Sequence, residues 1–240
     1  MNFKKYKIAF LGSDEIAIPF LNCLEERVPH CELSAVLTQP DRPSGRGRKV
    51  QPNPVKSWAI QRSLPISDPP TPGSREITWL KGHEIDLLLV MAYGRILKDE
   101  MLSFTRYGCF NLHASLLPSY RGASPIETAI ACGEVQSGVT FMRVVRKMDA
   151  GPILDYEKVR IEPNEVGLTL RKKISSACIP LVERSLKTIF SGKAREHEQD
   201  EKKVSYCRKL NKSDAILDFS KGARSLDCRI RAFKPWPGTV

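Results

Sequence analysis

Short apolar runs alternate with stretches of helical spacing through the first half of the chain, and this constrains the fold most. Apolar runs bounded by turn residues are typical of strands covered on both faces. Between them, apolar side chains recur every three or four positions, as in residues 16–28. Strands that alternate with helices indicate βαβ units joined by right-handed crossovers. We therefore predict an α/β fold with a mostly parallel twisted sheet and helices on both faces.

The same patterns place the individual elements. The predicted strands are residues 7–11, 33–38, 85–92, 108–113, 138–145 and 153–161. The predicted helices are residues 16–28, 55–62, 123–132, 169–190 and 220–233. The last two predicted strands are rich in residue types that favour β structure, and they flank a short turn at residues 148–152. They are therefore expected to form a hairpin at the edge of the sheet.

The composition narrows the class of protein. The chain has 240 residues, of which 41% are hydrophobic and 27% charged, as in an average globular protein. Its apolar runs are too short to span a membrane or to form the core of a signal peptide, so we expect a soluble cytoplasmic protein with no membrane partner. Seven scattered cysteines without a CxxC pair suggest neither a metal site nor a disulfide framework.

The positive charge is concentrated late in the chain. The formal net charge is +11, and residues 171–240 carry 17 basic against eight acidic side chains. A basic excess attracts polyanions and raises their rate of encounter. The basic stretches at 171–173 and 202–209 could follow a nucleic acid backbone, but a solvated helix face and linker explain them equally well.

The chain divides into three parts by composition. Residues 1–190 hold the alternating pattern and are predicted to form one catalytic domain. Residues 191–203 lose that pattern and are predicted to be a linker. Residues 204–240 are too few to bury a core of their own and are expected to be the start of a further domain.

One polar pair stands out at the end of a predicted strand. The G-x-G-x-x-G and G-x-x-x-x-G-K-[ST] phosphate signatures are absent, but Asn111 and His113 project from one face of residues 108–113. Ligands of open α/β sheets bind at the carboxyl ends of the strands. An amide and an imidazole there could bind an oxygen that gains negative charge, and Asp149 could orient the imidazole. A single histidine near a strand end is often structural, so both interpretations stay open.

The order and spacing of several blocks resemble the folate-dependent formyltransferases. The blocks are Asn111-x-His113, Ser115-Leu116-Leu117-Pro118, residues 120–125, residues 148–154 and residues 91–97. The resemblance covers nearly the whole chain and implies the Rossmann-like formyltransferase fold. It also implies 10-formyltetrahydrofolate as co-substrate, no metal, catalytic roles for Asn111, His113 and Asp149, and a folate pocket. The pocket residues it implies are Met91, Tyr93, Gly94, Ser115, Leu116, Leu117 and Pro118.

Three further features are similar to the branch of that family that formylates methionyl-tRNA. They are residues 38–49, residues 206–210 and residues 231–238. In the first, Arg42, Arg46, Arg48 and Lys49 are expected to contact the tRNA, and glycines and prolines are expected to prevent a regular element. A solvated surface loop is the alternative for these four residues.

The resemblance thus implies transfer of a formyl group to the α-amine of initiator methionyl-tRNA, for translation initiation, by a chain expected to act as a monomer. Asn111 and His113 would stabilise the oxyanion, and Asp149 would orient His113 and help move the proton of the amine. Two alternatives remain at this point. One is a formyltransferase for a small amine such as glycinamide ribotide or an amino sugar nucleotide, and the other is an RNA-binding module without activity.

Overall fold

A computed structural model describes residues 5–44, 47 and 49–240, and their main feature is a seven-stranded sheet. The strands are β1 (Tyr6–Gly12), β2 (Cys31–Leu37), β3 (Arg42–Ser44), β4 (Lys49–Gln51), β5 (Ile66–Ser67), β6 (Leu87–Met91), β7 (Cys109–His113), β8 (Arg121–Gly122), β9 (Gln136–Arg143), β10 (Ile153–Arg160) and β11 (Tyr206–Cys207). The helices are α1 (Ile18–Arg27), α2 (Pro54–Gln61), α3 (Ser74–Gly82), α4 (Asp99–Ser103), α5 (Pro125–Ala131), α6 (Gly167–Phe190) and α7 (Ala223–Ala232).

The large sheet has the order β10-β9-β7-β6-β1-β2-β5. Strands β7, β6, β1, β2 and β5 are parallel to their neighbours in this series, whereas β9 pairs antiparallel with β7 and β10 antiparallel with β9. All five residues of β6 are buried, as expected for a strand at the centre of a covered sheet. The prediction of a mostly parallel α/β sheet with an edge hairpin is confirmed.

Helices cover both faces of this sheet, as predicted. On one face, α1, α2, α5 and α6 pack against side chains such as Phe10 and Phe110. On the other face, α3 and α4 pack against a smaller cluster that includes Leu88 and Tyr93. Because a strand directs successive side chains to opposite faces, β7 sends Phe110 and Leu112 into the first cluster. Asn111 and His113 therefore lie on the other face.

The expectation of an irregular segment at residues 38–49 is wrong. Arg42–Ser44 and Lys49–Gln51 form a short antiparallel hairpin in which Pro43 lies opposite Val50. A proline lacks the backbone donor, but the hairpin has two free edges and tolerates it there. Arg46 and Arg48 lie outside the described residues.

Residues after α6 pack back onto the first part of the chain. The backbone of His197 exchanges two hydrogen bonds with that of Ile153, and β11 pairs parallel with β8. Phe233 at the end of α7 is 3% exposed and belongs to the larger core cluster. The boundaries of the domains and of the linker at 191–203 stay predictions. Among the described helices, none combines the length and the apolar character needed to cross a bilayer.

Burial governs the chemistry of several of the cysteines. It raises the pKa of Cys31 to about 12 and also raises the pKa values of Cys109 and Cys178. A thiol with a raised pKa carries little thiolate at neutral pH and is a poor nucleophile. These three side chains act as small apolar groups in the core.

Candidate active site

The carboxyl end of β7 carries the two polar side chains that the sequence singles out. Asn111 lies opposite Met142 of β9, and His113 lies opposite Thr140. His113 is 6% exposed, whereas Asn111 is half-buried. Within the described part of the chain, the Asn111 carboxamide makes no hydrogen bond. Its two N–H groups are therefore available to a ligand.

The imidazole of His113 lies between a carbonyl and a carboxylate. Its Nε2 atom is 2.9 Å from the carbonyl oxygen of Tyr120. A carbonyl oxygen only accepts, so Nε2 carries the proton and donates this hydrogen bond. Its Nδ1 atom is 3.7 Å from Oδ2 of Asp149. The structure thus brings His113 and Asp149 together, with the Nδ1 atom of the ring directed at the carboxylate.

Asp149 reaches this position from the turn between β9 and β10. It has a φ of 50°, in the left-handed region. Its Oδ2 atom accepts a hydrogen bond of 2.9 Å from the backbone N–H of Gly122. Gly122 itself has a φ of 126°, and a Cβ atom there would lie 2.0 Å from the carbonyl oxygen of Cys207. Only glycine fits this position, and its N–H fixes the direction of the Asp149 carboxylate.

The loop after β7 is fixed to β9 through one hydroxyl group. Thr140 Oγ1 donates to the carbonyl oxygen of Ser115 at 2.7 Å and accepts from the N–H of Leu117 at 3.0 Å. Ser115 is 1% exposed and Leu117 is 8% exposed, whereas Leu116 and Pro118 are half-buried. Of these four predicted folate residues, Leu116 and Pro118 present side chains that a ligand could reach.

The turn after β6 presents its backbone rather than its large side chains. Met91 and Tyr93 are 1% and 2% exposed and lie in the two core clusters. Burial raises the pKa of Tyr93 to about 12. Gly94 is exposed and has a φ of 66°, and Gln39 Nε2 donates to the Tyr93 carbonyl oxygen at 2.5 Å. The side chains of Met91 and Tyr93 therefore cannot contact a ligand directly. They can only support the backbone of this turn from the core.

The hairpin of β3 and β4 presents two cations on one face. Arg42 lies opposite Gln51, which is two residues beyond Lys49, so the side chains of Arg42 and Lys49 project to the same side. Both are exposed. The nearby carboxylate of Asp41 is engaged by Lys56 Nζ at 2.5 Å. It therefore does little to neutralise the two hairpin cations.

The other predicted basic stretches are partly neutralised. Arg171 pairs with Asp14 at 2.5 Å, and Lys173 pairs with Glu165. Burial acts to raise the pKa of Glu165, but the hydrogen bonds from Lys173, Thr169 and the backbone, together with the charge of Lys173, outweigh it and the pKa is lowered. Lys172 remains exposed on α6. This surface thus offers fewer unpaired cations than its sequence indicates.

Sequence patterns do not identify the side chains that surround Asp149. Arg121 is fully buried and contacts Gln199 and Glu201, both from the segment predicted to be a linker. Gln199 is 8% exposed. It stands in a polar run with no periodicity, so its burial has no signal in the sequence and depends on the tertiary fold.

Comparison with known proteins defines the class. Residues 6–179 match the family described as formyl transferase, and residues 209–240 match the family described as formyl transferase, C-terminal domain. Together with the α/β fold, these matches show that the chain belongs to the formyl transferase family.

Individual relatives of the chain indicate a more specific class within this family. The chain is 42% identical to the methionyl-tRNA formyltransferase of Methylococcus capsulatus, over 96% of this chain and 75% of that protein. It is 38% identical to the methionyl-tRNA formyltransferase of Thermotoga neapolitana, over 97% of this chain and 74% of that protein. A solved N-formyltransferase from Helicobacter canadensis, in complex with folinic acid and dTDP-3-aminofucose, has a similar fold. Its TM-score is 0.75 at 22% identity, over 98% of this chain and 84% of that one.

Proposed function

We propose that this protein transfers a formyl group from 10-formyltetrahydrofolate to the α-amine of methionine esterified to initiator tRNA. The observation that carries the proposal is the 42% identity to a methionyl-tRNA formyltransferase over 96% of the chain. The geometry of the site agrees with this proposal. The Asn111 carboxamide, which makes no hydrogen bond within the described residues, and the His113–Asp149 pair lie at the strand ends where an α/β sheet binds its ligands.

The reaction sets two chemical requirements. The lone pair of the amine forms a bond to the formyl carbon, and the formyl oxygen gains negative charge as that carbon becomes tetrahedral. An electron pair on the oxygen then re-forms the carbonyl bond, and the bond from the carbon to the folate nitrogen breaks. The site must therefore stabilise an oxyanion, and it must take a proton from the amine and deliver one to the leaving nitrogen.

Asn111 and His113 meet the first requirement. Asn111 donates an N–H to the developing oxyanion, because that donor has no partner within the described part of the chain. His113 stands two residues further along the same face of β7, and the hydrogen bond from its Nε2 atom to the carbonyl oxygen of Tyr120 fixes the ring there. Loss of one oxyanion donor typically costs about 100–1,000-fold in rate.

Asp149 meets the second requirement. Its carboxylate accepts a hydrogen bond from Gly122 and faces Nδ1 of His113 at 3.7 Å. It orients the imidazole, takes the proton that the attacking amine loses, and returns it to the leaving nitrogen. The side chain is largely buried, with 16% of its surface exposed, which strengthens both interactions relative to water.

The folate would bind between two backbone segments. Gly94 and the residues beside it present backbone groups from the turn after β6, and Leu116 and Pro118 add apolar contacts from the loop after β7. Ser115, Leu117, Met91 and Tyr93 hold those two segments in place from the core. A flat heterocycle with polar edges suits this combination of backbone donors and apolar walls.

The tRNA would contact the β3–β4 hairpin. Arg42 and Lys49 share one exposed face, and arginine pairs with phosphate through two parallel hydrogen bonds. Contacts of Arg46 and Arg48 with the tRNA stay a prediction from the sequence, because both lie outside the described residues. Because phosphate contacts release counterions, binding of the tRNA should weaken steeply as the salt concentration rises.

The experiment is a formyl-transfer assay with 10-formyltetrahydrofolate and three acceptors at two salt concentrations. The acceptors are methionyl-tRNA, glycinamide ribotide and an amino sugar nucleotide. We expect transfer to methionyl-tRNA, reduced at the higher salt concentration. Transfer to one of the small amines with none to methionyl-tRNA would overturn the proposal.

A further inference from the structure

Arg121 is a charged side chain that the proposed chemistry does not use, yet it is 0% exposed. Burying a guanidinium is costly unless its donors are satisfied. Its Nε and Nη2 atoms both donate to Oε1 of Gln199, at 3.0 and 2.8 Å. Nη2 also donates to Glu201 Oε1 at 2.8 Å, and Glu201 in turn accepts from Lys147. The Nη1 atom is buried without a hydrogen-bond partner among the described residues, so the contacts of Nε and Nη2 are what fix Arg121 and the side chain of Gln199.

The contact with Arg121 decides which way the Gln199 amide points. A guanidinium can only donate, so the oxygen of the amide must face it. The amide nitrogen must then face away from Arg121. There it meets two backbone carbonyl oxygens, which can only accept. Both ends of the Gln199 side chain are therefore set by the chemistry of their partners.

The amide nitrogen of Gln199 spans the turn that carries Asp149. Nε2 donates to the carbonyl oxygen of Asp149 at 2.9 Å and to that of Gly151 at 2.7 Å. Asp149 adopts a left-handed φ of 50°, a conformation that residues with a side chain adopt only rarely. A Cβ atom on Gly151 would lie 1.9 Å from the carbonyl oxygen of Arg143, so the turn is also tightly packed. Gln199 holds both ends of this turn.

Taken together, these hydrogen bonds form a closed circuit of residues around the Asp149 carboxylate. The side chain of Arg121 holds Gln199, and Gln199 holds the backbone of Asp149. The N–H of Gly122, the residue after Arg121, holds the Asp149 carboxylate at 2.9 Å. We propose that Gln199 is a positioning residue that sets the Asp149 carboxylate against His113, with Arg121 fixing Gln199. As a statement about catalysis, this rests on the proposed function.

The decisive variant is Gln199→Glu. It keeps oxygen acceptors for the buried Arg121 and turns the contact into an ion pair, but it removes the N–H donors to Asp149 and Gly151. The matched control is Glu198→Gln, at the exposed neighbouring position. If Gln199 served only as a partner for Arg121, Gln199→Glu would keep the kcat of the wild type.

We expect Gln199→Glu to lower kcat by about 100-fold, the cost of a misplacement of about 1 Å at a catalytic group. The KM for 10-formyltetrahydrofolate should stay within about twofold, and Glu198→Gln should match the wild type in both constants. Gln199→Leu, which removes both contacts, should lose kcat and also unfold at a lower temperature. Wild-type kcat in folded Gln199→Glu would overturn the inference.

A second measurement does not depend on activity. The ring nitrogens of His113 can be followed by NMR in protein labelled with 15N-histidine, because the chain has only four histidines. When the carboxylate moves away from Nδ1, the 15N signals of His113 should shift in Gln199→Glu and stay in place in Glu198→Gln. Unshifted signals in Gln199→Glu would overturn the inference. If the signals shift in Gln199→Glu but the wild-type protein transfers no formyl group, the proposed function is overturned and the positioning of Asp149 still stands.

Discussion

The Nδ1 atom of His113 lies 3.7 Å from Oδ2 of Asp149, although one residue ends β7 and the other stands in the turn between β9 and β10. β9 pairs antiparallel with β7, so its last residue, Arg143, lies opposite Phe110, and the turn that follows β9 carries Asp149 back to His113 at the carboxyl end of β7. The contact places the ring of His113 against the carboxylate to which the proposed function assigns the transfer of a proton.

Asp149→Asn tests the acid–base role. The amide keeps the size of the side chain and can still accept from the N–H of Gly122, but it cannot take a proton. We expect kcat to fall by about 100–10,000-fold, the range of general acid–base catalysis, with little change in the affinity for the folate. Single-turnover kinetics and equilibrium binding of a folate analogue measure the two effects. A fall in affinity with unchanged kcat would contradict the assignment.

Asn111→Ala tests the oxyanion donor. Because the carboxamide makes no hydrogen bond within the described residues, its removal should change the free energy of unfolding by no more than about 0.5 kcal/mol. The rate should nevertheless fall by about 100–1,000-fold. Chemical denaturation and the formyl-transfer assay together separate the two effects. A large loss of stability would show that Asn111 has a structural role instead.

Arg42→Ala and Lys49→Ala test the hairpin. Each should weaken binding of methionyl-tRNA and lower the slope of log Kd against log salt concentration by about 1, because each removes a phosphate contact. Folate binding should not change. Lys81→Ala, which removes an exposed cation from α3, serves as the control. Equal loss in the control and in the two hairpin variants would mean that only the net charge matters.

Asp214 gives a prediction about pH and stability. The hydrogen bond from Arg208 lowers the pKa of Asp214 from its ordinary value, and the side chain also accepts from the N–H of Asn211 at 2.7 Å. A carboxyl group whose pKa is lower in the folded state contributes stability above its ordinary pKa and loses it as the pH falls. Asp214→Asn should therefore lower Tm at pH 7, and the difference from the wild type should shrink below about pH 4. Thermal unfolding followed by circular dichroism from pH 7 to pH 3 measures this. A difference that is the same at every pH would mean that the charge of Asp214 plays no part.

Much of the fold could be predicted because its elements have strong local signals. The apolar run of β6 and the stripe of α6 each identify their element without any tertiary contact. The predicted elements do not include the helices α3 and α4. They also lack β5 and β11, which are only two residues long and carry no periodicity. The hairpin at β3 and β4 was missed because its glycines and prolines are as common in irregular loops as in tight turns.

The pattern of residue types along the chain indicates the α/β class, and the blocks around Asn111, His113 and Asp149 suggest the chemistry. These features depend on residue type and spacing along the chain, which the sequence contains in full. Three features become visible only in the folded chain: His113 donates to Tyr120, Met91 and Tyr93 face the core, and Gln199 reaches the Asp149 turn. Those contacts join residues far apart in the chain, and their distances depend on how the sheet, the loops and the segment after α6 pack together.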